Sequence, residues 1–200
     1  MPRSRTYPDD LRDRLVAAAS ERLRHHPPEE MSLRDLAASV DTSTNAIYSI
    51  FGGKDELIGE VMARAKWIFI SHQWEYANQG PSLEALIAMG TYYRTWALDN
   101  PALYRLMYSG SFDHSISFSI TDETLDPLRT ILKGCMEAGI FHEEDAESLA
   151  MSAWASLHGY VSLEMSVWTD DASRRRAEAG FETHMMRLLH GLLVEAPASP

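Results

Sequence analysis

The sequence has one cysteine among its 200 residues, and this scarcity limits the chemistry that it can support. Cys135 has no second thiol to pair with, which excludes an intramolecular disulfide and a cysteine-cluster metal site. That usage fits a reducing compartment. A basic excess is also missing, because 18 Lys and Arg stand against 29 Asp and Glu, a formal net charge of −11. We therefore expect no bulk positive field that would attract nucleic acid.

Long apolar runs are missing as well. No apolar segment follows the arginines of residues 1–10, which predicts that there is no secretory signal. The longest notable uncharged stretch, residues 148–163, is too short to span a bilayer comfortably, so we interpret it as a buried helix. These features predict a cytoplasmic protein with no membrane partner.

The motifs of common enzymes do not occur. We find no H-E-x-x-H, no G-x-S-x-G, no Gly-rich phosphate loop after a strand and no pair of carboxylates on converging elements. No second His, Cys or carboxylate lies at ligand spacing beside His158. The sequence therefore predicts no enzyme, no metal site and no cofactor.

What the sequence does contain is a helical pattern through nearly its whole length. Apolar residues recur three and four positions apart, and no alternating strand pattern or internal repeat interrupts them. Proline and glycine divide this pattern into about nine helices. The last one is expected over residues 172–194. The fold class is therefore predicted to be all-α.

Residues 32–51 predict two short helices joined by a tight turn. Ser32 and Asp35 have the spacing of a capping box, and Ser43 supplies cap chemistry for the second helix. Packed on a preceding helix, this pair has helix-turn-helix geometry, in which the second helix lies in the major groove of DNA. Ala46 and Ile47 are expected to face the domain interior.

Polar side chains are left on the outer side of that second helix. Thr44, Asn45 and Ser49 are small donors and acceptors that can reach base edges. Tyr48 has a hydroxyl for a phosphate oxygen, although a tyrosine alone is more often a packing aromatic than a phosphate ligand. Gly52-Gly53-Lys54 places a cation and free backbone N–H groups at a helix start, where an anion can bind. The simpler interpretation of the lysine is a solvated surface charge.

The stretch MSLRDLAASVDTSTNAIYSIFGGKDELIGEVM, residues 31–62, resembles the DNA-binding domain of the TetR-type bacterial transcriptional regulators. The likeness covers about residues 8–62. Its skeleton is a Ser-Leu-Arg-x-Leu-Ala helix, a turn that ends in serine, and Tyr-x-x-Phe-x-x-Lys-x-x-Leu. The matching positions are Ser32, Leu33, Arg34, Leu36, Ala37, Ser43, Tyr48, Phe51, Lys54 and Leu57.

The resemblance implies roles for individual residues. Tyr48 and Lys54 would clamp phosphates, and an N-terminal arginine, Arg3 or Arg5, would reach an adjacent groove. The residues that it places at or near the DNA are Arg5, Ser32, Ser43, Thr44, Asn45, Tyr48, Ser49 and Lys54.

This chain departs from the family pattern at the turn and on the second helix. The family usually has Gly-Val-Ser where this chain has Asp41-Thr42-Ser43. It often has glycine at the position of Asn45 and histidine at that of Ser49. An aspartate near phosphates would weaken DNA binding if it faced the DNA.

The second half resembles a family of helical regulatory domains. AWASLHGYVSLE, residues 153–164, and NPALYRLMYSG, residues 100–110, are similar to the C-terminal domain named for its Trp-His-Gly (WHG) motif. Aromatic and methionine side chains in this half can line an apolar cavity with a few polar handles. The candidate ligand-binding residues are Tyr93, Trp96, Tyr104, Met107, Trp154 and His158. For His158, a hydrogen-bonded place between packed helices is the alternative.

The last two long helices are expected to form a four-helix bundle with a second copy. One helix-turn-helix domain reads half an operator, so the family resemblance implies a homodimer. The stripe expected at that contact is Phe181, Met185, Leu188 and Leu192. Packing inside the protomer is the alternative for these four residues.

Together these patterns predict two domains. Residues 1–54 would form a three-helix helix-turn-helix DNA-binding domain, a long connecting helix would cover residues 54–78, and residues 55–200 would form a larger helical regulatory and dimerisation domain. The expected function is a DNA-binding transcriptional regulator, a repressor whose binding to a double-stranded operator is relieved by a small, largely apolar effector. The alternative is a helical small-molecule-binding or interaction protein that no longer binds DNA strongly, which Asp41 and the acidic net charge favour.

Overall fold

The computed structural model describes residues 7–108 and 122–194 of the chain. Those residues contain nine α-helices and no strand, which confirms the all-α prediction. The helices are α1 Leu11–His25, α2 Leu33–Ser39, α3 Thr44–Phe51, α4 Lys54–Ala77, α5 Leu83–Asp99, α6 Pro101–Tyr108, α7 Asp122–Glu137, α8 Ala146–Ser166 and α9 Asp171–His190. None of them is long and apolar enough to cross a membrane.

The chain folds into two compact units. Of the described residues, the first unit contains 7–68 and 99–108, and the second contains 69–98 and 122–194. Helix α4 contributes to both units. The predicted boundary after residue 54 follows the sequence motif, whereas compactness groups residues 55–68 and 99–108 with the first unit.

The first unit is built on the buried face of α1. Leu11, Leu15 and Leu23 repeat at helical spacing and are fully buried, which explains why this segment forms an amphipathic helix. Helix α6 packs against α1. A hydrogen bond 3.1 Å long from Arg24 Nε to Asn100 Oδ1 ties the start of α6 to that helix.

The second unit has its own apolar core. Leu86, Met89, Leu132 and Leu189 are buried in one cluster that joins α5, α7 and α9. Cys135 is part of the same cluster, and its burial raises the pKa of the thiol. Such a cysteine behaves as a small apolar side chain.

Helix α9 is shorter than the sequence predicts. It ends at His190 instead of continuing to residue 194. The backbone of the next residues pairs with the segment after α7: His142 N–H donates to Leu192 C=O at 2.8 Å, and Val194 N–H donates to Ile140 C=O at 3.1 Å. These long-range bonds replace the last helical turn.

A buried ion pair joins α5 to α8. The guanidinium of Arg94 donates two hydrogen bonds to the carboxylate of Glu164, and only 14% and 5% of the two side chains are exposed. The same guanidinium lies 5.3 Å from the ring centroid of Phe181 on α9. The hydrogen bond from Arg94 to Glu164 raises the pKa of the guanidinium. The ion pair and the Phe181 ring therefore connect three helices, α5, α8 and α9.

Candidate DNA-binding surface and ligand cavity

The helix-turn-helix begins at Ser32, whose side chain caps α2. Its Oγ accepts a hydrogen bond from Asp35 N–H at 3.3 Å, which satisfies one of the free donors at the helix start. Leu36 and Ala37 are buried and hold α2 in the first unit. The capping that the sequence predicts for Ser32 is confirmed.

The turn after α2 is a Schellman motif, with Asp41 in the left-handed region. Thr42 N–H donates to Ala37 C=O at 2.9 Å, and Asp41 N–H donates to Ala38 C=O at 3.2 Å. Asp41 has φ = 54°, and no other non-glycine residue in the described part of the chain has a positive φ. Glycine is the usual residue at this position of the motif, and aspartate is one of the few others that tolerate it. The departure from the family pattern at Asp41 thus has a conformational explanation.

Helix α3 has one buried face and one open face. Ser43 Oγ accepts a hydrogen bond from Ala46 N–H at 3.4 Å and starts the helix. Ala46 and Ile47 are fully buried, as predicted. On the opposite side the polar residues are uncovered: Asn45, Tyr48 and Ser49 are exposed, and Thr44 is half-buried.

Tyr48 is the most informative of these residues. Its side chain is 56% exposed, although a tyrosine usually gains stability by burying its ring. The packing alternative considered for Tyr48 is therefore not what the structure shows. An uncovered aromatic ring with a hydroxyl at its tip suits contact with a partner.

The end of α3 and the start of α4 are fixed by Arg12 on α1. Its guanidinium donates to Glu60 Oε1 at 2.9 Å, to Glu60 Oε2 at 2.5 Å and to Ile50 C=O at 3.2 Å. It also lies 4.9 Å from the ring centroid of Phe51. This role of Arg12 cannot be predicted from local sequence, because its partners lie 38 and 48 positions further on.

The start of α4 carries a carboxylate that the sequence analysis did not take into account. Gly52 has φ = 100° and ends α3, and Lys54 is half-buried at the first position of α4. Glu56 folds back over the glycines, so that a Cβ built on Gly53 would lie 2.8 Å from Glu56 Oε2. The helix start that the sequence marks as an anion site thus has an acidic neighbour. Arg5 lies outside the described residues.

The second unit contains a cavity with a volume of about 60 Å³. Its walls are supplied by α4, α5, α7, α8 and α9. They consist almost entirely of apolar side chains, and none of the described lining residues is charged. The lining residues are Phe69, Gln73, Leu86, Met89, Gly90, Tyr93, Thr124, Leu125, Pro127, Leu128, Leu132, Ala153, Trp154, Leu157, Met185, Leu188 and Leu189.

Three of the predicted ligand-binding residues form one arrangement. Tyr93 and Trp154 line the cavity, and His158 lies behind them with its Nδ1 3.1 Å from the Tyr93 hydroxyl. The ring of Trp154 stacks on that of His158 with centroids 4.9 Å apart. Burial lowers the pKa of His158, which favours the neutral imidazole. The helical spacing of Trp154 and His158 accounts for their stacking.

The other three predicted ligand-binding residues do not line the cavity. Trp96 packs on Phe69, with ring centroids 5.0 Å apart. Tyr104 and Met107 are buried on α6, which belongs to the first unit. The cavity has instead a polar lining residue, Gln73, that the sequence analysis missed, since one glutamine in a helix carries no distinguishing pattern.

The predicted dimer stripe of α9 faces the interior of the protomer. Phe181 and Met185 are buried, Met185 and Leu188 line the cavity, and Leu192 packs against the core cluster of the second unit. A Cβ built on Gly90 would lie 2.5 Å from Met185 Cε, which shows how closely α5 approaches this stripe. The structure therefore agrees with the intramolecular alternative for these side chains, and a contact with a second copy stays a prediction.

A helix-turn-helix with an open polar face, together with a larger helical unit that contains an apolar cavity, defines the class of helical transcriptional regulators. Comparison with protein families identifies the group within that class. The model of bacterial regulatory proteins of the tetR family matches residues 15–61, and that of the tetracyclin repressor-like C-terminal domain matches residues 86–188. The chain belongs to the TetR family, whose members are DNA-binding regulators rather than enzymes.

Solved structures have the same fold at low sequence identity. A transcriptional regulator from Cytophaga hutchinsonii has a TM-score of 0.74 at 14% identity, over 93% of this chain and 100% of that one. A TetR-family transcriptional regulator from Pectobacterium atrosepticum has a TM-score of 0.72 at 18% identity, over 94% of this chain and 97% of that one. SmeT, the repressor of the Stenotrophomonas maltophilia multidrug efflux pump SmeDEF, has a TM-score of 0.69 at 15% identity, over 96% of each chain. No curated protein matches the sequence.

Proposed function

We propose that the protein is a homodimeric repressor that binds an operator through α3 and releases it when a small molecule occupies the cavity. The observation that carries the proposal is the division of α3 into two faces. Ala46 and Ile47 are fully buried, whereas Asn45, Tyr48 and Ser49 stand uncovered on the other side. A short helix fixed in this way can enter a major groove without rearranging its own domain.

The open face provides separate groups for bases and for phosphates. Asn45 and Thr44 offer an amide and a hydroxyl to base edges, and Ser49 adds a second hydroxyl. Tyr48 and Lys54 provide a hydroxyl and an ammonium group for phosphate oxygens.

Two serines and an arginine complete the proposed DNA contacts. Ser32 and Ser43 each accept a backbone N–H through Oγ, and their own O–H groups still have a proton to donate to a phosphate. Arg5 is the proposed contact of the N-terminal arm.

The carboxylate of Glu56 at the start of α4 affects the strength of the proposed contact with DNA. Glu56 lies beside the glycines and the half-buried Lys54, at the end of the helix where the macrodipole is positive. Its negative charge stabilises that helix end but repels a phosphate that approaches the same N–H groups. We expect the charge of Glu56 to lower operator affinity.

A second copy is proposed to dock on the outer face of α8. The exposed apolar residues of this helix are Met151 and Leu163, and Ala155 is exposed between them. The face also contains Gly159, where an added Cβ would meet no described atom within 4 Å. No charged residue lies on α8 between Met151 and Leu163, although the chain is strongly acidic. An uncharged face with small residues at its centre suits the close approach of another helix.

Two matched glycine variants test the dimer. Gly159→Arg adds a charge to the proposed face, whereas Gly191→Arg adds one at the end of α9; neither new Cβ would meet a described atom. Light scattering after size-exclusion chromatography should give a dimer for the wild type and for Gly191→Arg, and a monomer for Gly159→Arg. A dimeric Gly159→Arg protein would rule out this face.

Helix α4 runs from the end of the helix-turn-helix to the cavity wall, so a ligand in the cavity can act on the DNA-binding residues through this helix. It begins at Lys54, two residues beyond Gly52, and carries Phe69 and Gln73 at the cavity wall. A ligand that binds one position of α4 more tightly than another shifts the population between them, because only differential affinity changes such an equilibrium. We propose that the ligand-bound position fits the operator less well.

The DNA claim is tested with the intergenic DNA next to the gene, by fluorescence anisotropy over a range of salt concentrations. Lys54→Ala should weaken binding about tenfold and reduce the salt slope by about one, the effect of losing one phosphate contact. Lys133→Ala, which removes an exposed lysine of α7, is the matched control and should change neither value. Glu56→Gln should tighten binding.

Asn45 is tested separately for base contacts. Asn45→Ala should change the preferred sequence more than it changes the affinity for DNA in general. Unchanged binding by Lys54→Ala at low and high salt would refute the phosphate contact. A protein that binds small molecules in the cavity and shows no affinity for any intergenic DNA would instead be the ligand-binding protein considered as the alternative.

A further inference from the structure

The cavity wall contains a buried amide N–H group that has no hydrogen-bond acceptor among the described residues. Gln73 on α4 lines the cavity and is only 6% exposed. Its Nε2 is buried, and within residues 7–108 and 122–194 no atom accepts a hydrogen bond from it. A buried N–H group in this state loses its water without gaining a partner, which costs stability. Such a group in a cavity wall is explained if a ligand supplies the acceptor.

The surroundings of Gln73 restrict the chemistry of that ligand. None of the described lining residues carries a charge, so an ionised ligand would lose its hydration without gaining a counter-ion. The Tyr93 hydroxyl is already within 3.1 Å of His158 Nδ1. Leu86, Leu128 and Leu132 add apolar surface, which selects for hydrocarbon.

We propose that the cavity binds an uncharged, compact, largely apolar molecule with one carbonyl oxygen, to which Gln73 Nε2 donates a hydrogen bond. Ketones, esters, lactones and neutral amides belong to this class. The inference rests on the proposed function of the cavity as the effector site. Met89 and Met185 belong to the wall, and their flexible side chains allow the small cavity to adapt to an occupant.

Two probes of equal shape isolate the hydrogen bond. Acetophenone and α-methylstyrene have the same skeleton, with C=O in the first where the second has C=CH₂. Titration calorimetry gives the ratio of their affinities for the wild type and for Gln73→Leu. Dividing one ratio by the other cancels the difference in hydration between the probes. We expect the preference for the ketone to be about tenfold greater in the wild type, as for the net gain of one hydrogen bond.

A stability measurement provides a second readout that needs no ligand. Replacing the orphaned amide by an apolar group of similar size removes its desolvation penalty, so unliganded Gln73→Leu should melt a few degrees above the wild type. If the branched leucine side chain does not fit at this position, Gln73→Met takes the place of Gln73→Leu in the measurement. Gln79→Leu changes an exposed glutamine just beyond α4 and should leave both the probe ratio and the cavity unaffected.

The outcomes separate this inference from the function on which it rests. If both probes bind and the ratio is the same in Gln73→Leu and in the wild type, the hydrogen bond is refuted and the cavity remains a binding site. If neither probe binds the wild-type protein up to its solubility limit, both the cavity site and the role of Gln73 are refuted. A lower melting temperature for both Gln73→Leu and Gln73→Met would show that the amide has a partner in the unliganded protein.

Discussion

Substitution of Asp41 tests the turn on which the orientation of α3 depends. Asp41 occupies the C′ position of the Schellman motif with φ = 54°, and it is exposed. The backbone conformation and the negative charge at this position have separate consequences. Glycine removes both the strain and the charge, asparagine removes the charge alone, and alanine and valine remove the charge but keep a Cβ in the left-handed region.

The expected free energies follow from the backbone conformation. A left-handed L-residue costs roughly 1–2 kcal/mol, and aspartate pays less because its short side chain can hydrogen-bond locally. Glycine avoids that strain but loses about 0.5–1 kcal/mol of extra chain entropy on folding. We therefore expect Asp41→Gly to be about as stable as the wild type or up to about 1 kcal/mol more stable. Asp41→Val is expected to lose about 1–3 kcal/mol, since a β-branched residue is the least suited to this region.

Thermal unfolding followed by circular dichroism measures this series. A chain of this size shifts its Tm by about 2–4 °C for each kcal/mol. The predicted order of stability is Gly, then Asp and Asn together, then Ala, then Val at position 41. If Asp41→Val melted at the wild-type temperature, the residue would not be in the left-handed region and the Schellman assignment would be wrong.

The DNA measurement separates the charge from the conformation. Asp41→Asn keeps a residue that tolerates the left-handed region and removes the negative charge. If Asp41 lies near phosphates, as the resemblance to the family implies, both Asp41→Asn and Asp41→Gly should bind DNA more tightly, with a larger gain at low salt. Equal affinities for the wild type and Asp41→Asn at all salt concentrations would show that this side chain does not face the DNA.

Two further predictions concern the second unit. Glu164→Gln removes the carboxylate that is hydrogen-bonded to the buried guanidinium of Arg94. Urea denaturation should therefore show a loss of about 3–5 kcal/mol, most of which returns when Arg94→Met is combined with Glu164→Leu. A single-variant loss below about 1 kcal/mol would contradict this. Burial lowers the pKa values of His158 and His184, so their contribution to stability is complete above about pH 6.5 and decreases as the pH falls. Tm should fall between pH 7.5 and 5.5, and His158→Gln should reduce the fall; an equal fall in both proteins would exclude His158 as a source.

The local features of the fold are the ones that the sequence predicts well. Ser32 and Ser43 cap helices through the backbone three residues ahead, and Ala46 and Ile47 anchor α3 as expected. In each case the interacting groups lie within a few residues of one another, or their burial follows from helical spacing. The all-α class and the family follow from the same kind of short-range pattern.

Features that depend on distant parts of the chain could not be predicted in this way. Gln73 Nε2 has no acceptor among the described residues and lies in the wall of a cavity whose other sides come from α5, α7, α8 and α9. Arg94 and Glu164 lie 70 positions apart, and Arg12 and Glu60 lie 48 apart. The end of α9 is set by backbone bonds to the segment after α7, so its own propensity over residues 191–194 does not decide its length.

The stretch of residues 148–163 shows how the absence of charge can be misread. Its lack of charged residues predicts a buried helix, yet Met151, Ala155 and Leu163 are exposed in the protomer. The more apolar stripe of α9, which includes Phe181 and Met185, is the one that faces inward. Large apolar side chains gain most from the interior of their own subunit, where burial does not depend on concentration. The docking face proposed on α8 combines the exposed Met151 and Leu163 with small, uncharged residues between them.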